Sequence, residues 1–234
     1  MIGFDRPLKP RWIYETLLLA EPGQRLQELN LPFEKVAREL TGKEGKRKVR
    51  TVLFRYFIRD ADKQGRARSE LPLKKLSHQK GCEYMKPIYL FYLVGSSPTL
   101  YKITEDLFRL YSYGKAVNTV FLQQKMTDRF GERDVVNRSV RSFLKTLSYF
   151  GVMQTMNDNL MLKKPLPVNK EQLRIILQLY AKDILKTPQV SLRQLHSPLF
   201  CFFALPDIKT VAKDYSGHYW EYQHRLREDF LVVY

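Results

Sequence analysis

The stretch from Asp134 to Lys164 changes its hydrophobic period at Gly151, and this change constrains the fold more than any other feature of the sequence. Before Gly151 the apolar residues recur at helical spacing, which predicts an amphipathic helix. That apolar stripe consists of Val136, Val140, Phe143, Leu144 and Leu147. After Gly151 the letters VMQTM, NDN and LMLKK alternate about a turn at residues 157–159, a pattern typical of a β-hairpin. The sequence therefore predicts a helix followed directly by a short hairpin.

The side of this helix opposite the apolar stripe is basic. Arg138, Arg141, Ser142 and Lys145 recur at helical spacing, and Asn137 flanks them. Guanidinium groups suit phosphates and guanine edges, and a carboxamide can pair with adenine. The pattern therefore indicates a nucleic-acid-binding face.

Two further helices are predicted before this one. Residues 96–114 begin with Ser and Thr and place Leu100, Ile103, Leu107 and Leu110 on one side. Thr119 is positioned to cap the next helix, which ends at Gly131. Three helices followed by a hairpin predict a helix-turn-helix unit with a wing.

This segment, roughly Thr99 to Pro165, resembles the winged helix-turn-helix family. The resemblance implies that the third helix enters the DNA major groove and that the hairpin contacts the backbone or the minor groove. The residues that it places against DNA are Arg133, Asn137, Arg138, Arg141 and Lys145 on the helix, with Lys163 and Lys164 on the wing.

The N-terminal part has a similar pattern. Helices are predicted at residues 12–20, 32–42 and 46–59, and the third has a basic outer face. That face carries Lys46, Arg47, Arg50 and Arg55. Two short helices and a longer basic helix predict a second helix-turn-helix-like unit that binds DNA. Residues 60–80 are polar and basic, and they fit either a linker or a wing.

The charge distribution supports a polyanionic partner. The chain has 40 lysines and arginines against 24 aspartates and glutamates, a net charge of +16 over 234 residues, and its pI is near 9.8. Residues 43–80 alone hold 13 basic and 4 acidic side chains, a net charge of +9. A basic excess that is clustered in this way is the electrostatic footprint of nucleic-acid binding.

A further likeness, over about a third of the chain, is carried by FYLVGSSPTLYKITEDLFRLY and the later NRSVRSFLKTLSYFGVM. In layout these segments are similar to the A protein of BREX phage-defence systems. The resemblance implies a DNA-binding accessory role in phage defence and supplies no catalytic residue.

The C-terminal segment is nearly balanced in charge and strongly apolar around residues 199–205. It is interpreted as core packing, with an interface to a second copy or a partner protein as the alternative. No phosphate-binding, dinucleotide or metalloprotease motif occurs, and the two cysteines form no zinc pattern. PDIK at residues 206–209 resembles half of a nuclease motif, but Glu228 and Asp229 come too late and lack the lysine. We therefore predict no enzymatic activity, no cofactor and no metal, with Asp207 as the residue to change if cleavage is found.

The predicted fold class is mainly α, with two helix-turn-helix-like units, at least one of them a winged helix with a short β-hairpin. The predicted domains are a basic N-terminal domain (1–80), a winged-helix domain (81–165) and a C-terminal helical or apolar packing segment (166–234). The predicted function is non-catalytic binding of double-stranded DNA in the cytoplasm, with no membrane association. RNA binding, or a protein-interaction subunit of a nucleoprotein assembly, are the alternatives.

Overall fold

The computed structural model describes residues 3–60, 62–225 and 227–234, and most of this chain is helical. The α-helices are α1 (Pro10–Leu19), α2 (Lys43–Leu53), α3 (Pro72–Gly95), α4 (Pro98–Leu110), α5 (Thr119–Phe130), α6 (Asp134–Tyr149), α7 (Lys170–Leu179) and α8 (Ile208–Asp214). The strands are β1 (Met153–Met156), β2 (Asn159–Leu162), β3 (Leu166–Pro167), β4 (Gln189–Ser191), β5 (Phe203–Ala204), β6 (Trp220–Arg225) and β7 (Glu228–Val233). The predicted mainly α class is confirmed.

The chain forms two compact units. Unit 1 comprises Met1–Tyr89 and Asn118–Met153, and unit 2 comprises Leu90–Val117 and Gln154–Tyr234. Unit 1 therefore contains α1, α2, α5, α6 and most of α3. Unit 2 contains α4, α7, α8 and the strands, apart from the first residue of β1.

In unit 1, α5 and α6 are consecutive helices that are joined by a short turn and packed against each other. The carboxamide oxygen of Asn118, one residue before the expected Thr119, caps α5 by accepting a 2.9 Å hydrogen bond from the Phe121 N–H. The turn of residues 131–133 starts at Gly131, whose φ of +83° favours glycine. The whole apolar stripe of α6 is buried, so the opposite side of this helix is the one that faces away from the core.

The helix predicted at residues 32–42 is wrong. A short 3₁₀ turn, Pro32–Lys35, is followed by a left-handed backbone at Ala37, with φ of +51°. Phe33, Val36 and Ala37 are nevertheless buried. The apolar pattern marked the correct core residues, but tight turns bury them as effectively as a helix would. The predicted N-terminal helix-turn-helix-like unit therefore lacks its second helix.

The described part of residues 60–80 pairs with neighbouring segments in its first half and is helical in its second half. Isolated bridges join Arg66 to Arg25 and Ala67 to Arg59 within unit 1. The chain then enters α3 at Pro72, and Gly81, with φ of +77°, interrupts the regular helix.

The hairpin predicted after Gly151 is confirmed, and it lies almost wholly in unit 2. Asn157 and Asp158 both have positive φ, 47° and 61°, as a two-residue hairpin turn of this hand requires. The segment before α5 also pairs with β2, because Ala116 forms an antiparallel bridge to Met161. The Val117 N–H donates a 2.7 Å hydrogen bond to the Leu160 carbonyl in the same ladder.

The core of unit 2 is aromatic. Phe91, Tyr180 and Phe200 contact one another with ring centroids 5.3–6.0 Å apart, and Phe108 packs edge-on against Phe202 at 4.9 Å. The apolar residues that suggested a partner surface are therefore largely buried within the chain itself.

The end of the chain is a β-sheet that the sequence patterns did not predict. Strands β4, β7 and β6 form an antiparallel sheet in that order, and Trp220 is fully buried on it and donates its indole N–H to the Ala212 carbonyl at 2.8 Å. Within the described ranges, no helix has both the length and the apolar character needed to cross a bilayer.

Candidate nucleic-acid interface

Positive charge is concentrated in unit 1. This unit has 26 lysines and arginines against 14 carboxylates, a net charge of +12, whereas unit 2 has 14 against 10, a net charge of +4. Three quarters of the excess therefore lies on the unit that contains α2, α5 and α6. A surface that attracts a polyanion is expected on unit 1.

The N-terminal segment, residues 4–8, is hydrogen-bonded to the side of α6 that lies away from its exposed face. The Phe4 N–H donates to Ser139 Oγ at 3.2 Å, and the Leu8 N–H donates to Thr146 Oγ1 at 2.9 Å. The Phe4 ring also packs edge-on against Phe143 on the same helix. These contacts leave the other side of α6 free to face solvent.

The outer side of α6 presents cations. Arg138, Arg141 and Lys145 are exposed at i, i+3 and i+7, the spacing of one helical face. Within the described chain, neither arginine makes a hydrogen bond or an ion pair. The Lys145 ammonium lies 5.4 Å from the centre of the Tyr149 ring, which directs it without neutralising it.

Arg133 and Asn137, two other residues that the sequence predicted to face DNA, do not lie on this exposed face of α6. Arg133 is exposed and precedes the first helical turn. Asn137 is half-buried, and its carbonyl and carboxamide oxygens accept hydrogen bonds from Gln123 and Thr127 of α5, at 3.3 and 3.5 Å. Asn137 therefore joins the two helices and lies off the exposed face. Ser142, which is buried, also lies off that face.

The predicted basic residues of α2 are mostly engaged within the chain. Arg47 forms a two-pronged contact with Glu44, at 3.0 and 2.9 Å, and this contact lowers the pKa of Glu44. Lys46 lies 3.4 Å from a Glu34 carboxylate oxygen, and Arg55 donates to the Gly3 carbonyl at 2.6 Å. Only Arg50 of the four makes no such contact within the described chain. The outer face of α2 is consequently less positive than its sequence indicates.

The two wing lysines belong to unit 2. Lys163 and Lys164 follow β2, and both are exposed with no ion pair in the described part of the chain. They are available to a polyanion in that unit.

One cluster of charged and aromatic side chains in unit 1 was not predicted from the sequence. The Lys9 ammonium lies over Trp12 and Tyr149, 5.0 and 5.3 Å from the ring centres. It also pairs with Glu39 at 2.7 Å, and Glu39 accepts a 3.0 Å hydrogen bond from the Trp12 indole. Burial alone would raise the pKa of Glu39, but these partners outweigh it and lower that pKa. Lys9 and Trp12 are three residues apart, but Glu39 and Tyr149 come from distant segments, so no local spacing connects the whole cluster.

The carboxylates of the nuclease-like motif share one pocket of unit 2. Asp207, Lys209, Glu228 and Asp229 line a pocket of about 440 Å³. Every carboxylate there already has a donor: Asp207 caps α8, Glu228 pairs with Arg193, and Asp229 contacts Lys209 at 3.0 Å. Among the described residues, no group of three or more His, Cys, Asp or Glu is placed to hold a metal ion. This pocket therefore lacks the free carboxylates that a Mg²⁺ site needs.

Comparison with protein families, with curated proteins and with solved structures finds no match for this chain.

Proposed function

We propose that this chain binds double-stranded DNA, without catalysing its cleavage, through the exposed basic side of α6. The single observation that carries the proposal is the pair Arg138 and Arg141, exposed side by side and unneutralised on a helix whose opposite side is buried. An α-helix fits the width of the major groove, and arginine is the side chain that most often reads guanine there. Arg138 and Arg141 are the candidates for that role, with Lys145 on phosphate.

The chain order supports a winged-helix type of binding. A helix, a short paired segment, two helices and a hairpin follow one another as α4, residues 114–117, α5, α6 and β1–β2. This order is the one found in winged helices. Because α6 belongs to unit 1 and the hairpin to unit 2, the proposal for α6 stands without a contact from Lys163 and Lys164.

Unit 1 supplies the electrostatic part. Each phosphate that a cation neutralises releases counterions, so the logarithm of the binding constant falls with the logarithm of salt by ~0.9 per contact. A unit with a net charge of +12 is suited to this mode of binding. The accessory role in phage defence stays a hypothesis that rests on resemblance.

The test is fluorescence anisotropy with a labelled duplex over a salt series. The double variant Arg138→Ala, Arg141→Ala is expected to bind at least about tenfold more weakly, since such contacts are worth ~1–3 kcal/mol. For this variant, the slope of the logarithm of the binding constant against the logarithm of salt is expected to become less steep by about 2.

The matched control is Arg11→Ala, Arg47→Ala. It removes the same charge from the same unit, but at arginines already paired with Glu15 and Glu44. Little change is expected. Equal binding by the α6 variant and the wild type at every salt concentration would overturn the proposal, provided that circular dichroism shows both to be folded.

The same assay with duplex RNA separates the main alternative. The major groove of A-form RNA is too deep and narrow for a helix to read. We therefore expect the α6 variant to lose DNA binding while any residual RNA binding, driven by overall charge, changes little. Absence of binding to either nucleic acid at low salt would favour a protein-interaction role.

A further inference from the structure

Unit 1 contains a small pocket lined by three arginines. The pocket measures about 250 Å³, and its polar lining consists of Arg50, Arg55, Arg59, Gln27, Asn30 and Thr51. No carboxylate belongs to the lining, although unit 1 carries 14 of them. This composition selects for an anion.

The three arginines lie on α2 and on the wide helical turn that continues it, with Arg59 at the end of that turn. On a regular α-helix, Arg50 and Arg55 would point about 140° apart. Here α2 continues into a π-helical turn, Phe54–Ile58, in which the Arg59 N–H bonds the Phe54 carbonyl five residues back. Turns of this kind add one residue and are frequent at functional sites.

Most hydrogen-bond donors on the side chains of this pocket have no partner within the described chain. Arg50 and Arg59 form no side-chain hydrogen bond or ion pair within the described chain, and neither do the carboxamides of Gln27 and Asn30. The Arg55 guanidinium carries five N–H groups and donates one of them to the Gly3 carbonyl. Guanidinium groups stay protonated at all working pH values, so all three arginines would attract an anion in this pocket.

The charge and the volume of the pocket favour a terminal phosphate. A phosphate monoester carries a charge of about −1.5 to −2 at neutral pH and three free oxygens, which suits three guanidinium forks better than a carboxylate does. A backbone phosphodiester has fewer free oxygens and is flanked by sugars on both sides. A pocket smaller than the ~300–1,000 Å³ of typical small-molecule sites holds one such group rather than a whole cofactor.

We propose that the pocket of Arg50, Arg55 and Arg59 binds a terminal phosphate, that is, a phosphate monoester or free phosphate. The site is separate from the exposed face of α6, and it does not require that α6 bind DNA. Two sources share this chemistry, a small phosphorylated molecule and the phosphorylated end of a nucleic acid.

The first experiment measures thermal stability and binding with inorganic phosphate and with a nucleoside 5′-monophosphate, against the unphosphorylated nucleoside at equal ionic strength. Both phosphates are expected to raise the Tm of the wild type, and the nucleoside is not. The variant Arg50→Ala, Arg59→Ala should lose this response, with an affinity at least about tenfold lower. Arg55 is left intact because of its contact with Gly3.

Two further variants make this test specific. Lys35→Ala, Lys75→Ala removes the same charge from exposed positions of unit 1 that do not line the pocket, and it should respond as the wild type does. Arg50→Lys, Arg59→Lys keeps the charge but loses the forked donors, so it should respond less than the wild type. A phosphate response that survives in Arg50→Ala, Arg59→Ala, or that is absent from the wild type, overturns the inference.

The second experiment identifies the source. A duplex with 5′-phosphates is compared with the same duplex carrying 5′-hydroxyls, in the wild type and in both the pocket and the α6 variants. Tighter binding of the phosphorylated duplex that disappears only in the pocket variant assigns the site to nucleic-acid ends. Equal binding of the two duplexes, together with a response to the small phosphates, assigns it to a small molecule. Either result is independent of whether the α6 variant weakens duplex binding.

Discussion

The backbone N–H of Phe4 donates a 3.2 Å hydrogen bond to the hydroxyl of Ser139, so the start of the described chain is fixed to the middle of α6. Leu8 repeats the contact at Thr146, further along the same helix. The N-terminal segment therefore runs beside α6 in the same direction. It covers the side of α6 that lies away from the exposed arginines.

This arrangement predicts that Phe4 supports unit 1. Its ring is fully buried and packs edge-on against Phe143 and Tyr56. Phe4→Ala should lower the free energy of unfolding by ~3–5 kcal/mol, measured by urea denaturation. Leu31→Ala, at a side chain that is 81% exposed, should change it by no more than ~0.5 kcal/mol. Equal stabilities for the two variants would contradict the role of Phe4.

The basic residues of α2 should matter less than those of α6. Lys46→Ala, Arg47→Ala removes as much charge as the α6 double variant, yet both side chains already contact carboxylates. We expect a smaller loss of duplex affinity, measured by anisotropy at the same salt. Glu44→Gln should act in the opposite direction and tighten binding at low salt, because it releases Arg47. Equal losses for the α2 and α6 double variants would show that only total charge matters.

The hairpin turn gives a test of backbone conformation in unit 2. Asp158 has φ of +61°, which glycine adopts without strain and a β-branched residue does not. Asp158→Gly should leave stability unchanged or raise it slightly, whereas Asp158→Val should lower it by ~1–2 kcal/mol. Thermal unfolding of the two variants decides the order, and the reverse order would exclude this turn.

Acid should weaken the C-terminal sheet through Asp229. Its carboxylate accepts hydrogen bonds from the Tyr222 hydroxyl and the His224 Nδ1, at 2.7 and 2.8 Å, and contacts Lys209 at 3.0 Å. These bonds hold the pKa of Asp229 well below its usual range. A depressed folded-state pKa stabilises the fold above the unfolded pKa of ~3.9, and this contribution is lost as the pH falls through the lower, folded-state value.

The measurement for this prediction is the unfolding free energy as a function of pH in the acid range. Asp229→Asn should flatten the fall in stability below about pH 4. Glu70→Gln is the control, because Glu70 is exposed and has no hydrogen bond or ion pair in the described chain. A slope that Asp229→Asn leaves unchanged would exclude Asp229 as its source.

Both cysteines should react slowly with thiol reagents. Cys82 and Cys201 are half-buried, and burial raises the pKa of each thiol. At mildly alkaline pH their reaction with a chromogenic disulfide should be slower than that of a free thiol, and it should speed up on unfolding in urea. Fast reaction of the folded protein would mean that these sites are more open than the structure shows.

The sequence alone determined the local elements with strong periodicity. The stripe of α6, the glycine after α5 and the Asn-Asp turn of the hairpin each depend on neighbouring residues, so their structures follow from short-range physics. The sequence also determined the net charge, because net charge is a sum over residue types. The sequence could not separate the cations of α2 from those of α6, since their patterns are alike.

Tertiary structure decided which of these cations are free and which segments pair. Arg47 is neutralised by a neighbour within α2, but Lys46 and Arg55 are engaged by Glu34 and Gly3 from other segments. Phe33, Val36 and Ala37 are buried through tight turns because packing outweighs the small helix propensity of so short a segment. The pocket of Arg50, Arg55 and Arg59 is completed by Gln27 and Asn30, and the C-terminal sheet pairs β4 with β7, so both depend on residues far apart in the chain. Their contacts are set by how buried surfaces fit together, a quantity that no local spacing encodes.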